Sequence, residues 1–206
     1  MLPNALIYFV KYPEPGMVKT RLAKVVGDHH AARAYRELTE TNLGILNSLP
    51  SGFVKVIIAF DPFKNEEAIR SWLPGPYEYV AQKGSELGAR LQNAFQFAFE
   101  KGFKKVMALG SDTLGLKPEV LHKAFDALND YDIVLGPAKD GGYYLIGLSQ
   151  TQPSVFQGIP WSTAAVFEAT LAKVKGQRLS YFLLPELEDL DEEHNLPGGY
   201  RYEILT

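Results

Sequence analysis

The chain has 206 residues, 46% of them apolar and 12% aromatic, so it can build a substantial core in one large domain or two small ones. Its formal net charge of -3 argues against a nucleic-acid-binding protein, because such proteins usually carry a strong basic excess. The absence of cysteine excludes disulfides, thiolate metal sites and a cysteine nucleophile. The first apolar run lacks a basic flank and is too short to cross a bilayer, so we expect no transmembrane segment and a cytoplasmic protein.

Short β-rich runs alternate with helical stretches along the chain. Residues 5–10 are predicted to form the first strand, and a long amphipathic helix is predicted from about 28 to 48. Further strands are predicted over 54–60, 77–82, 105–110, 133–135, 143–148 and 180–187. Further helices are predicted over 66–73, 86–102, 118–130 and 163–176.

This alternation indicates an α/β fold with a mostly parallel sheet. The stretch GPAKDGGYYLIGL interrupts it with strand, turn and strand, which predicts a mixed sheet. No internal repeat, low-complexity tract or long linker divides the chain, so we expect a single domain over residues 1–206. Ligands of such sheets bind at the carboxyl ends of the strands, and three polar stretches fall there: 11–21, 110–112 and 138–142. Their convergence predicts a binding site.

The first of these stretches is basic and begins KYPEPGMVKTR. Two prolines and Gly16 restrict and shape the loop, and Lys19, Thr20 and Arg21 follow. Lysine supplies a compact charge and arginine a planar fork for phosphate oxygens, while backbone N–H groups can add to an anion site. The glycine spacing of a P-loop is absent. The loop therefore indicates either a phosphate-binding element, to which Lys11 also contributes, or a solvated surface loop.

The second stretch, Gly110-Ser111-Asp112, follows an apolar strand. A carboxylate at a strand end is well placed to hold Mg²⁺ or Mn²⁺, which prefer oxygen ligands. A metal bridging a diphosphate would offset the charge that develops on a leaving phosphate. The alternative is that Asp112 only stabilises the following turn, since serine and aspartate are common turn residues.

The third stretch is the turn Lys139-Asp140-Gly141-Gly142. It is equally consistent with a simple hairpin turn and with a site where glycines let a substrate approach the backbone.

Near the carboxyl terminus, the acidic run EDLDEEHNL resembles a solvated helix start, although Asp189 or Asp191 could supply a second metal carboxylate.

Other polar residues carry weaker signals. The four histidines lack a recognisable zinc spacing, and no serine lies in a nucleophile-elbow context. In Trp161-Ser162-Thr163, one hydroxyl is predicted to cap the next helix, and Trp161 is a candidate pocket residue.

Together, the stretches KYPEPGMVKTRLA, LGARLQNAF, ALGSDT and GPAKDGGYYLIGL resemble the bacterial glycosyltransferase-like family also called selenodomain-associated transferases. The resemblance covers most of the chain. That family belongs to the nucleotide-diphospho-sugar transferase superfamily with the GT-A fold, and is similar to the molybdenum-cofactor and 2-phospholactate guanylyltransferases. The resemblance implies a three-layer α/β/α sandwich, a nucleotide or nucleotide-sugar substrate, a small-molecule acceptor and Mg²⁺ or Mn²⁺ as cofactor.

The resemblance also implies roles for individual residues. Phosphate and nucleotide contacts are implied for Gly16, Lys19, Arg21, Gln82, Gly88 and Arg90, and the residues of the loop itself add Lys11 and Thr20 as candidates. The metal is implied on Asp112, with Asp189 as a second ligand. The acceptor is implied on Asp140, Gly141 and Gly142, beside the candidate pocket residue Trp161. Lys19, Arg21 and Asp140 are the implied catalytic residues.

The chain departs from the superfamily pattern at several positions. Lys19 stands where nucleotidyltransferases commonly have a second glycine, and Asp112-Thr113-Leu114-Gly115 lacks the usual nearby proline. The late acidic motif has Glu192 and Asn195 where threonine and aspartate are common.

Three functions remain open at this stage. A glycosyltransferase would release a nucleoside diphosphate from a nucleotide-sugar, and the loop without the second glycine slightly favours this reaction. A nucleotidyltransferase would join an NTP to a phosphorylated acceptor and release pyrophosphate. A degenerate, non-catalytic nucleotide-binding module is the third possibility, and a purely structural domain is a weaker one.

Overall fold

Nine strands, six α-helices and one short 3₁₀ helix alternate along residues 4–191, the part of the chain that the computed structural model describes. The strands are β1 (Asn4–Val10), β2 (Lys55–Phe60), β3 (Glu78–Ala81), β4 (Lys105–Gly110), β5 (Thr113–Leu114), β6 (Ile133–Pro137), β7 (Tyr143–Leu148), β8 (Tyr181–Leu183) and β9 (Glu188–Asp189). The helices are α1 (Thr20–Val26), α2 (Asp28–Asn47), α3 (Glu66–Trp72), α4 (Leu87–Glu100), α5 (Pro118–Ala127) and α6 (Val166–Gly176), and the 3₁₀ helix is Pro153–Phe156.

Seven strands form one mixed sheet in the order β3-β2-β1-β4-β7-β6-β8. Strands β1 to β4 are parallel where they pair, and β8 is parallel to β6. Only β7 runs against its neighbours, β4 and β6, within this sheet of the described region. The predicted α/β fold with a mostly parallel mixed sheet is therefore confirmed. The carboxyl ends of β1, β2, β3, β4 and β6 all lie at the same edge, as the register of a parallel sheet requires.

The two faces of the sheet bury separate apolar clusters, which makes the predicted three layers. One cluster packs Leu6 and Tyr8 of β1 against α2, α3 and α5, with Phe125 fully buried. The other packs Ile7 of the same strand against α4, α6 and the 3₁₀ helix, around Phe95. Successive side chains of β1 thus pack into the two clusters in turn. Both faces of the strand are apolar because helices cover both faces of the sheet.

Several boundaries differ from the sequence prediction. Helix α1 was not predicted; it ends at Gly27, whose φ of 82° breaks the helical path before α2 begins. The predicted last strand divides into β8 and β9 around Pro185, which cannot donate a ladder hydrogen bond. The acidic run begins as strand β9, paired with β5, and not as a helix. The part of the run from residue 192 onward, which includes Glu192 and Asn195, lies outside the described residues, as do the outer ends of the predicted 1–206 domain.

A buried polar stripe on α2 fixes the loops that follow β1 and β4. The hydroxyl of Tyr35 accepts a hydrogen bond from the backbone N–H of Lys11 (2.9 Å) and lies 2.8 Å from Ser111 Oγ. Two turns further along, Asn42 Nδ2 donates to the carbonyl oxygens of Ser111 (3.3 Å) and Thr113 (2.8 Å). These bonds hold both loops against the same helix. If either loop moved away, buried polar groups would lose their hydrogen-bond partners.

The Tyr35 hydroxyl generates the first prediction. Tyr35→Phe should lower the free energy of unfolding by about 1–3 kcal/mol, because the buried Lys11 N–H and Ser111 hydroxyl lose their partner. Urea denaturation monitored by circular dichroism measures the change. The matched control is Tyr131→Phe, at a tyrosine that is 37% exposed, which should change stability by less than about 0.5 kcal/mol. Equal effects at the two positions would contradict the structural role given to Tyr35.

Candidate active site

A cleft of about 580 Å³ opens at the carboxyl edge of β1 to β4. Four cationic side chains of the described region line it, namely Lys11, Lys19, Arg21 and Arg90. The remaining wall includes Thr20, Gln82, Ser111, Asp112, Ser162 and Asp191. The cleft therefore brings together most of the predicted phosphate-binding residues and the predicted metal ligand Asp112. Its four cations face the three carboxylates of Glu86, Asp112 and Asp191, and the exposed cations are available to an anionic ligand.

Lys19 makes the central contact of the cleft. Its ammonium lies 2.5 Å from Asp112 Oδ2 and 2.9 Å from Asp191 Oδ1, and only 8% of its side chain is exposed. Arg21 lies further out, 3.9 Å from Asp191 Oδ2, with 76% of its side chain exposed. Lys19 is thus a fixed, buried charge, whereas Arg21 is free to reach a ligand in the cleft.

The backbone of Lys19 is left-handed, with φ 49° and ψ 45°. A residue with a Cβ pays about 1–2 kcal/mol for this conformation, which glycine adopts freely. Lys19 therefore holds a backbone conformation that a glycine at this position would adopt without strain. Ser162, which also lines the cleft, is left-handed too, with φ 64°. Strain of this kind often accompanies functional sites.

The β5–β9 pair delivers the other carboxylates. Thr113 pairs with Asp189, and the N–H of Leu190 donates to the carbonyl of Asp112 at 2.9 Å. Leu190 is 1% exposed and packs against the small cluster of α1 and α2, so it anchors this segment. As a result, Asp191 shares the Lys19 ammonium with Asp112.

Charge and burial shift the ionisation of these groups. Burial alone would oppose the charge on Lys19, but Asp112 and Asp191 raise the pKa of the ammonium above its ordinary value. Burial also opposes ionisation of Asp112, yet Lys19 lowers the pKa of that carboxyl below its ordinary value. For Asp189, burial and then the charge of Asp112 are the main causes that raise the pKa to about 7. Lys19 and Asp112 are therefore a charged pair, beside a carboxyl that holds its proton more tightly.

The carboxylates of this cleft could hold a divalent cation only together with other ligands. Among residues 4–191, no three acidic or histidine side chains converge closely enough to enclose a metal ion by themselves. Two of them, Asp112 and Asp191, nevertheless already share one cation, and Asp189 Oδ1 is buried without a hydrogen-bond partner in that range. Mg²⁺ is commonly held by one or two carboxylates, with water and substrate phosphates completing its shell. The donor set fits that mode, with Asp191 closer to the shared cation position than the predicted Asp189.

On the far wall, Arg90 is held by a network that the sequence did not reveal. Arg90 Nη1 donates to Asp61 Oδ2 at 2.7 Å and to Gln82 Oε1 at 3.3 Å, while Gln82 Nε2 donates to the carbonyl of Ala59 at 2.9 Å. Burial opposes ionisation of Asp61, but the Phe63 N–H and Arg90 lower the pKa of its carboxyl. Gln82 and Arg90 thus present defined orientations to the cleft.

The predicted acceptor residues lie outside this cleft. Asp140 is exposed and its Oδ1 accepts the N–H of Gly142 at 2.8 Å, which closes a local turn. A Cβ on Gly141, where φ is 88°, would lie 2.1 Å from the carbonyl oxygen of Ala164. The absence of a side chain at Gly141 therefore lets the loop before α6 pack against it. A substrate was expected to approach the backbone at this glycine, but the backbone of Ala164 lies there instead. The acceptor role of this turn stays a prediction.

Gly88, Trp161 and Gly16 also have local packing roles. A Cβ on Gly88 would lie 2.4 Å from Trp161 Nε1, so the glycine makes room for the indole beside α4. Trp161 packs edge-on against Tyr143, and its N–H is buried without a partner in the described region.

Gly16, with φ 79°, shapes the basic loop without lining the cleft. The prediction that Ser162 or Thr163 caps the helix is wrong, because α6 begins only at Val166 and its N-cap residue, Ala165, makes no side-chain cap. Thr163 Oγ1 instead accepts the N–H of Ala165 in the turn before the helix.

Comparisons with known proteins agree with this architecture. Residues 46–163 match the family described as "Uncharacterized protein conserved in bacteria (DUF2064)". The crystal structure of a "putative nucleotide-diphospho-sugar transferase" from Desulfovibrio desulfuricans G20 is 39% identical, with a TM-score of 0.88 over 93% of this chain and 84% of that one. The chain belongs to the DUF2064 family. No curated protein matches the sequence. The narrower resemblance to selenodomain-associated transferases and molybdenum-cofactor guanylyltransferases stays a prediction.

More distant structures share the fold of this DUF2064 protein. An inositol-1-phosphate CTP transferase from T. maritima is 16% identical, with a TM-score of 0.60 over 96% of this chain and 93% of that one. A mannosyltransferase from Pyrobaculum calidifontis, in complex with GDP-Man and Mn²⁺, is 13% identical, with the same TM-score over 94% of this chain and 58% of that one. Among residues 4–191, none of the helices combines the length and apolarity that a bilayer span needs.

The contact between Gly141 and Ala164 generates the second prediction. Gly141→Ala should lower the free energy of unfolding by at least about 2 kcal/mol, since it adds both left-handed strain and a clash with backbone. Gly44→Ala is the matched control, because Gly44 lies inside α2 with open space around its Cβ position. That control should raise stability by about 0.5–1 kcal/mol. Urea unfolding curves of both variants measure the contrast, and a neutral Gly141→Ala would refute the proposed packing.

Proposed function

We propose that this protein is a divalent-metal-dependent transferase that acts on a nucleotide-sugar and a small-molecule acceptor. The observation that carries the proposal is the cleft itself, in which Lys11, Lys19, Arg21 and Arg90 face the carboxylate pair Asp112–Asp191 at the carboxyl edge of a parallel sheet. The 39% identical Desulfovibrio protein, described as a nucleotide-diphospho-sugar transferase, supports the same class of substrate.

Different residues of the cleft are proposed to bind the phosphates and the nucleoside of the ligand. The exposed Arg21 and the loop residues Lys11 and Thr20 are placed to contact phosphate oxygens. The ordered Gln82 and Arg90 on the far wall are placed to orient the nucleoside part. Fixed donors of this kind hold the reacting bond without reorganising when charge develops on the leaving phosphate.

The metal site of the proposal consists of Asp112 with Asp191, and Asp189 remains the predicted second ligand. These carboxylates would hold a divalent cation, which would supply positive charge to offset the charge of a diphosphate leaving group. The protein's own residues add positive charge from the opposite side, through Arg21 and the Lys19 ammonium. Asp140 is proposed as the acceptor-side carboxylate only with a movement of its turn toward the cleft, because it does not line the cleft.

Nucleotidyl transfer is the second candidate, and one observation favours it. The missing second glycine was the main sequence argument for sugar transfer, but Lys19 retains the left-handed backbone that a glycine would allow. The altered residue therefore does not force a different loop path. An NTP could place its phosphates against the same cations and lose pyrophosphate to a phosphorylated acceptor.

The product that is released separates these reactions, which gives the third prediction. The purified protein with Mn²⁺, a panel of nucleotide-sugars and a pool of acceptors should release a nucleoside diphosphate, measured by a coupled assay. The same protein with NTPs and phosphorylated acceptors should release no pyrophosphate. Pyrophosphate release would instead establish nucleotidyl transfer. Stabilisation by nucleotides without turnover of either kind would indicate a binding module, and the absence of both would contradict the proposal.

The fourth prediction concerns Asp112. Asp112→Asn should lower kcat of the activity that this panel identifies by about a hundredfold or more, because it removes charge from the site where the cation and the leaving phosphate meet. Asp126→Asn is the matched control, at an exposed aspartate on α5, and should leave kcat unchanged. Circular dichroism of both variants establishes that the fold is retained. An Asp112→Asn enzyme with full activity would remove this residue from the mechanism.

A further inference from the structure

The ammonium of Lys19 lies at the point that the proposed metal would take. It is 2.5 Å from Asp112 Oδ2 and 2.9 Å from Asp191 Oδ1, distances at which it acts as the shared counter-ion of both carboxylates. An ammonium has three N–H donors, and two of them are committed to these oxygens. A divalent cation bridging the same two oxygens would therefore collide with the lysine and be repelled by its charge.

We propose that Lys19 is a tethered counter-ion of Asp112 and Asp191, which a divalent cation replaces only as the ammonium moves onto the phosphates of the bound nucleotide. The two ligands then bind with positive cooperativity, since each removes an obstacle to the other. The identity of the nucleotide in this inference rests on the proposed function. The competition between ammonium and cation does not, because it follows from the three side chains alone.

The backbone around Lys19 shows how the ammonium is brought to this position. Lys19 precedes α1 in a left-handed conformation, and its side chain is 92% buried in the cleft wall. Arg21, two residues later, is mostly exposed and only 3.9 Å from Asp191, so it can contact phosphate without leaving a buried pair. In the free protein the loop thus carries one buried cation, paired with the carboxylates, and one exposed cation beside them.

The surroundings make the site electronegative once the ammonium leaves. Asp189 feels the negative charges of Asp112, Asp140 and Asp191, while Lys19 is the cation that offsets them. Removal of the lysine charge leaves two carboxylates without their partner, and such unpaired charges are strongly destabilising when partly buried. Mn²⁺ would restore the balance, so its affinity should rise when the lysine charge is deleted.

The first experiment measures Mn²⁺ binding alone by isothermal titration calorimetry. Lys19→Met should bind Mn²⁺ at least roughly tenfold more tightly than the unmodified protein, since burying an unpaired charge costs more than the 1.4 kcal/mol that tenfold represents. Lys19→Gly is the second variant, because glycine relieves the left-handed strain and guards against a variant that fails to fold. Lys24→Met, at an exposed lysine on α1, is the matched control and should bind like the unmodified protein.

The second experiment measures the coupling through thermal unfolding. In the unmodified protein, Mn²⁺ with inorganic pyrophosphate should raise Tm by more than the sum of the two separate shifts. In Lys19→Gly, Mn²⁺ alone should give the larger shift, and the additional gain from pyrophosphate should shrink. Lys19→Arg should retain the coupling in part, because it keeps a positive charge with a different reach.

The outcomes separate this inference from the proposed function. Unchanged or weaker Mn²⁺ binding by both Lys19→Met and Lys19→Gly, in folded protein, would overturn the counter-ion role. Tighter Mn²⁺ binding with unaltered coupling to pyrophosphate would overturn the transfer of the ammonium to phosphate. A protein that turns over no nucleotide-sugar or NTP would contradict the proposed function, yet the gain in Mn²⁺ affinity would still support the competition.

Discussion

The ion pair of Lys19 with Asp112 and Asp191 joins three separate parts of the chain at one point. Lys19 belongs to the loop after β1, Asp112 to the turn after β4, and Asp191 to the segment after β9. Exposed ion pairs contribute little to stability, but only 8% of the Lys19 side chain is exposed, so removing one partner would leave a buried charge without compensation. An ion pair therefore holds the loops together at the carboxyl edge of the sheet, whereas apolar packing holds the core beneath them.

The support for that ion pair comes from groups that are not charged. Tyr35 and Asn42 on α2 bind the backbone of the two loops, and Leu190 fastens the β9 segment to α1 and α2. Each is an interaction with main chain or apolar surface, so it holds whether the cleft is empty or filled. This division leaves Lys19, Arg21 and the carboxylates to respond to a ligand while the framework stays in place.

The alternation of apolar runs was enough to predict the fold class and most element positions, because β1, β2 and β4 are continuous apolar strands inside a parallel sheet. The strand-end positions of the polar stretches predicted that Lys19, Arg21 and Asp112 meet in one cleft, whereas Gln82 and Arg90 were expected there only from the family resemblance. Asp61, Tyr35 and the β5–β9 pair were missed, because two-residue strands and hydrogen bonds between distant residues leave no periodic signal. Gly141 was predicted to let a substrate approach the backbone, and the resemblance placed Gly88 at the pocket. Only tertiary packing could show that Ala164 and Trp161 lie against these two glycines.

The position of Lys19 explains why a residue with a Cβ stands where glycine would be cheaper. Left-handed backbone costs about 1–2 kcal/mol, and such strain persists where the surroundings over-determine it. Here the two carboxylates bind the ammonium that this backbone position presents, at 2.5 Å and 2.9 Å, and so help to hold the strained residue in place. A glycine would keep the loop path but leave Asp112 and Asp191 facing each other without a cation. The lysine therefore holds the carboxylates together in the free protein, and a divalent cation that arrives with a diphosphate can take over the same task.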